Sequence, residues 1–133
     1  MIHLFTYGSL MFDDVWKRLV KGHYRLDNAR LDGYARRCVK HDEYPVIFPA
    51  NESVEGVVYF DIDDEDIVSL DTFEGEYYER KEVELLVNYE KIIAHTYVLK
   101  PAYYDIIDPK LWSETLFEKE GIHRFLKEYK GFA

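Results

Sequence analysis

Apolar residues recur with two different periods along this chain, and the changes of period mark out its elements. Ile2–Thr6 is a short apolar, β-branched run that predicts a strand with a central place in a sheet. Tyr7-Gly8-Ser9-Leu10 breaks it. Asp13 or Asp14 then starts a helix to about Val20, with Val15, Trp16, Leu19 and Val20 on one face and Lys21-Gly22 as the stop. Residues 24–34 and 35–40 read as strand material around the turn signal Asp32-Gly33. Residues 44–49 form a short extended piece containing Pro45 and Pro49, which confine it to an edge or a loop. Residues 53–61 alternate as a strand, and 63–75 read as a helix. Residues 78–89 alternate through Val83, Leu85 and Val87, Asn88-Tyr89-Glu90-Lys91 turns, and 92–99 returns as the hairpin partner. The segment 112–129 is helical in pattern, with Gly121 dividing it into two pieces. This order is not the strict alternation of a doubly wound sheet. It predicts an α+β chain, with mostly antiparallel strands and a few flanking helices, and residues 1–133 as one domain.

Within the helix over 63–75, one residue conflicts with the pattern. Asp63 or Asp64 suits the N-cap, acids fill the first turn, and Gly75 suits the stop. Ile67, Leu70 and Glu74 stand at i, i+3 and i+7 and share one face. Glu74 thus carries a charge on the side that faces the core, at the helix end whose dipole disfavours an anion. Both effects raise its pKa toward neutrality, where a general acid/base works best. The competing reading makes Phe73 the inward residue and leaves Glu74 at a frayed, solvated end; Asp71 lies near the same face.

Composition narrows the function classes. Hydrophobic residues make up 47% of the chain, enough for a real core, and the 12 Tyr and 8 Phe suit a ring-lined pocket but equally suit strands, a core or an interface. A net charge of −9 argues against nucleic acid or an anionic membrane as a partner. An anionic small molecule remains open, because one site can be locally positive. The lone cysteine, Cys38, has no internal disulfide partner, which fits a reducing compartment, and it reads as a half-buried small hydrophobe. Residues 1–6 lack the basic start of a signal peptide and no segment reaches membrane-span length, so the reading is cytoplasmic. The five histidines show no metal-ligand spacing.

Two motifs together are more specific than either alone. Tyr7-Gly8-Ser9-Leu10 directly follows the first strand, and Leu70-Asp71-Thr72-Phe73-Glu74-Gly75 precedes Tyr78 and Arg80 at the start of another. With Tyr44-Pro45 and Glu55-Gly56-Val57-Val58-Tyr59 between them, this order resembles the γ-glutamylcyclotransferase-like superfamily, in particular its AIG2-like branch. The resemblance runs from about Ile2 to Leu99. It implies a small, mostly antiparallel β-barrel with helices around it, and a pocket between the first loop and the acid-bearing helix. It also implies that Glu74 is the catalytic acid/base for cyclising a small γ-glutamyl amine, amino acid or isopeptide to 5-oxoproline, with no metal or organic cofactor.

Backbone N–H groups of Gly8, Ser9 and Leu10 would cradle a carboxylate or oxyanion, Gly8 allowing close approach because it has no Cβ. Tyr7 would hydrogen-bond the substrate or Glu74, and Tyr78 and Arg80, two apart on one strand face, would line and brace the pocket. Each has a plainer reading: Ser9 as a local cap, Tyr7 bonded to backbone, Arg80 in a surface ion pair. The alternative for the whole chain is a catalytically silent binding or regulatory module of the same fold. The sequence fixes neither the leaving amine nor the oligomeric state.

Overall fold

Strands β1 (Ile2–Thr6), β2 (Leu26–Val39), β3 (Pro45–Ile62), β4 (Tyr78–Val87) and β5 (Glu90–Leu99) run in the order β3-β1-β5-β4-β2 in this computed structural model, which describes residues 1–129. β2 also pairs with β3, so the five strands close into a barrel. The two-residue strand β6 (Ile107–Asp108) adds to β2 at Cys38 and Val39. All pairings are antiparallel except that of β1 with β5, where Leu4 lies opposite His95. The barrel is therefore mixed, and β1 is paired along both edges, by β3 and by β5.

Pleat alternation sorts the strand residues into two cores. Phe5, Leu31, Ile47, Val58, Leu85 and Val98 belong to a cluster drawn from every barrel strand and no helix, which is the barrel interior. Their neighbours Leu4, Val46, Tyr59 and Tyr97 join a second cluster with the helices α1 (Asp13–Trp16), α2 (Asp64–Glu74) and α4 (Ile122–Glu128). Helices thus cover one outer flank of the barrel.

Four local expectations are corrected. The first helix stops at Trp16, not Val20, with single turns carrying the chain on through hydrogen bonds such as Leu19 N to Trp16 O at 3.0 Å. Asp32-Gly33 is not a hairpin turn. β2 runs straight through it for 14 residues, and the register shift between Asp32 and Tyr34, with Gly33 at φ 87°, is a bulge. Residues 45–49 are not a separate edge piece but the start of the 18-residue β3, with Pro45 opposite Cys38 and Pro49 opposite Tyr34 beside that bulge. Gly121 does not break the last helix: it has αR dihedrals and ends a π-helical stretch, Phe117–Gly121, between α3 (Glu114–Leu116) and α4. The β4–β5 hairpin turns at Asn88 and Tyr89, both with positive φ, as a tight two-residue connection demands.

Helix α2 carries the candidate acid, and it is held at both ends. Asp63 has the extended backbone of an N-cap. Asp66, only 3% exposed, accepts from Lys21 N at 2.9 Å, Gly22 N at 3.0 Å and the Tyr24 hydroxyl. Burial alone would raise the Asp66 pKa, but these donors outweigh it and hold the carboxyl below its ordinary value. At the other end Gly75 takes φ 78°, a conformation that costs glycine little, and its N–H reaches Asp71 O at 3.2 Å.

Candidate active site

The last turn of α2 faces the first loop of the chain. Phe73 is buried and Glu74 is half-buried, and both line one cavity: Phe73 is an inward residue, as the competing reading has it, but Glu74 does not end in solvent. A narrow cavity of about 20 Å³, room for little more than a water molecule, is lined by Tyr7, Gly8, Ser9, Leu10, Glu74 and Tyr78, among others. Six of the seven expected site residues therefore meet around one space.

The seventh, Arg80, stands apart from it. Its Nε donates to Asp71 Oδ1 at 2.9 Å, and its Nη1 lies 2.8 Å from His95 Nδ1. Arg80 lines a smaller opening with Asp71, Gly75 and Tyr97, which reaches the main cavity's wall at Glu74 and Tyr78. It thus forms the ion pair of the plainer reading and braces the helix end.

Burial, and secondarily the charge of Asp71, push the Glu74 pKa up to about 8 from an ordinary 4.5. Neither a backbone nor a side-chain donor among the described residues satisfies its carboxyl. It is surrounded by phenols that point elsewhere. Tyr7 donates to Tyr97 O at 2.7 Å, Tyr78 to Pro45 O at 3.0 Å, Tyr97 to Asp71 Oδ1 at 2.7 Å and Tyr129 to Phe73 O at 3.1 Å. Burial first, with Glu74's charge adding to it, holds all four phenols well above their ordinary range. They are fixed neutral walls, and Glu74 is left as the group free to exchange a proton.

The loop opposite is shaped by contact. A 3₁₀ turn over Ser9–Met11 follows Gly8, and no side chain caps it. Its leading N–H groups are therefore available where Gly8, Ser9 and Leu10 line the cavity. A Cβ on Gly8 would lie 2.6 Å from Pro45 Cγ and 2.7 Å from Pro45 Cδ. The proline ring cannot yield easily, since its carbonyl also holds Tyr78. Gly8→Ala is expected to cost about 1–3 kcal/mol of stability from overpacking and to weaken ligand binding by displacing the loop. Thermal melts and ligand titration of the variant check both, and wild-type values for each would refute the close-approach argument.

Sequence reasoning did not assign Tyr97, Tyr129 or Asp71 to the site. The surplus of tyrosine allowed a ring-lined pocket without saying which rings; Tyr44 and Pro45, part of the motif order, also lie in its wall. Among the described residues no group of three or more His, Cys, Asp or Glu could hold a metal ion, and no helix is long and apolar enough to cross a membrane.

Comparison with known proteins bears on the family and the fold. The family model described as gamma-glutamyl cyclotransferase, AIG2-like, matches residues 4–114. AIG2-like protein D of Arabidopsis thaliana is 35% identical over 137 residues, covering 97% of this chain and 89% of that protein. A protein of the same plant, solved in solution, superposes with a TM-score of 0.70 at 29% identity over 95% of this chain and 83% of its own. A solved gamma-glutamyl cyclotransferase shares the fold, with a TM-score of 0.63 at 20% identity over 74% of this chain and 66% of its own.

Proposed function

Because this chain belongs to the AIG2-like family of gamma-glutamyl cyclotransferases, we propose that it cyclises the γ-glutamyl group of a small γ-glutamyl amine, amino acid or isopeptide, with Glu74 as general acid/base. The observation that carries this reading is the half-buried carboxyl of Glu74, its pKa raised by burial, lining one cavity with the Tyr7–Leu10 loop.

The reaction is internal to the substrate. The α-amino nitrogen attacks the γ-carbonyl carbon and a tetrahedral centre forms. The bond from that carbon to the amide nitrogen then breaks, leaving 5-oxoproline and a free amine. Glu74 takes one proton from the substrate ammonium, which frees the attacking lone pair, and delivers it to the departing nitrogen. The second proton, lost as the ring nitrogen becomes the lactam N–H, passes through Glu74 to the released amine, so the enzyme ends as it began and no water is consumed. The substrate supplies the proximity, and the protein must hold it folded. The fixed aromatic walls restrict it to such a conformer, and the amides of Gly8, Ser9 and Leu10 meet its negative oxygens. Glu74 is mostly protonated at neutral pH when the cavity is empty. An entering ammonium group favours the carboxylate and brings it into the basic form the first step needs.

The test is release of 5-oxoproline from a panel of γ-glutamyl amines, amino acids and isopeptides. Turnover of at least one is the expected outcome, and the panel names the leaving group. A folded protein that binds these compounds yet releases nothing would instead be a binding module of the same fold.

A further inference from the structure

The main cavity poses an electrostatic problem. A γ-glutamyl group carries an α-carboxylate, the cavity already holds Glu74 with Asp71 close by, and among the described residues no lysine, arginine or histidine lines it. Among the described residues, a compensating charge is found only behind the wall.

Arg36, half-buried on β2, is placed to do this. Its Nη1 donates to the backbone carbonyl of Tyr7 at 2.8 Å and to that of Glu55 at 3.2 Å. The guanidinium carbon lies 5.2 Å from the centroid of the Trp112 ring, whose Nε1 is itself fixed to Glu43 O at 2.8 Å. Arg30, Arg37, Arg80 and Arg124 are each tied to a carboxylate. Arg36 instead spends its hydrogen bonds on main-chain carbonyls, with Glu114 and Glu55 as more distant acids.

In a trans peptide the C=O and the following N–H point in opposite directions, and the described chain has no cis peptide bond. A donor on Tyr7 O therefore fixes the Gly8 N–H on the far side of the same peptide plane, where Gly8 lines the cavity. A charged donor on the carbonyl also polarises that peptide and makes its N–H a stronger donor. We propose that Arg36 is a positioning residue that orients and polarises the Tyr7–Gly8 peptide so that the Gly8 N–H binds the substrate α-carboxylate. The inference builds on the γ-glutamyl reading, and it explains how an acidic protein accepts an anion beside its own acid.

The experiment is calorimetric titration of wild type, Arg36→Met and Arg36→Lys with 5-oxoproline and with its neutral carboxamide. Arg36→Met is expected to weaken 5-oxoproline binding about tenfold or more, the scale of one charge-assisted hydrogen bond, and to leave the carboxamide's affinity within about twofold. Arg36→Lys, which keeps a charge and a donor, is expected to recover part of the loss, and it decides the matter if the methionine variant does not fold. Equal loss for both ligands would mean a structural role and overturn the proposal, as would unchanged binding or a folded wild type that does not bind 5-oxoproline. Wild type that shows the Arg36-dependent binding but turns over no γ-glutamyl compound would sink cyclisation and leave the anion site standing.

Discussion

Glu74→Gln is expected to lower kcat for 5-oxoproline release by about 10²- to 10⁴-fold, the usual contribution of a positioned acid/base. Gln keeps the length and shape of the side chain in a cavity whose walls are fixed by their own hydrogen bonds, so KM should change far less than kcat. In wild type, kcat/KM should rise with pH toward about 8, where burial and Asp71 place the Glu74 carboxyl, and that limb should vanish from the variant's residual rate. Steady-state kinetics from pH 6 to pH 9 checks both. Activity that survives the substitution would show that another group moves the proton.

The same variant is expected to be more stable than wild type, by an amount that depends on pH. Glu74 has an ordinary pKa of 4.5 in the unfolded chain and about 8 in the folded one. Between these values the folded state binds more protons, so wild-type stability falls as pH rises. The contribution is fully present below 4.5 and is lost as pH rises through about 8. Gln does not titrate, so its advantage should be near zero at pH 4, grow through neutrality and level off above pH 8. At face value the gap corresponds to about 5 kcal/mol; partial solvent access to the residue trims this to on the order of 2–4 kcal/mol. Urea melts of both proteins at pH 4.5 and pH 8.5 measure it. An advantage equal at the two pH values would mean that Glu74 is not buried as described. Together the two results would mark a residue kept for chemistry at the expense of the fold.

How much of this was legible in the sequence depends on the range of the interaction involved. Helix α2 and the inward acid were readable because capping, dipole and the spacing of Ile67, Leu70 and Glu74 are all local. The Tyr7–Leu10 loop was readable because it interrupts an apolar run. The length of β2 and β3 was not. Gly33, Pro45 and Pro49 each look like punctuation, and only pairing along the whole β2–β3 ladder turns them into a bulge and tolerated strand positions. Arg80 was placed on the correct face beside Tyr78, but its partner Asp71 was set by how the helix end docks on β4. Tyr97 and Tyr129 enter the site through contacts across the fold, such as Tyr129 to Phe73 O, for which no local pattern exists.

The position of β1 between β3 and β5 has a temporal side. Its hydrogen-bonded neighbours, β3 and β5, end at Ile62 and Leu99, and the Thr96 hydroxyl that caps the Phe5 carbonyl comes 91 positions later. Among the barrel strands it is made first, yet one of its two edges stays unsatisfied until the last is made. At the usual pace of synthesis that wait is roughly 5–20 s, during which Leu4 and Phe5 lack their final cover. The Tyr7–Leu10 loop hangs from this strand, so a nascent chain halted before β5 would already carry Glu74 and the loop, but no cavity between them.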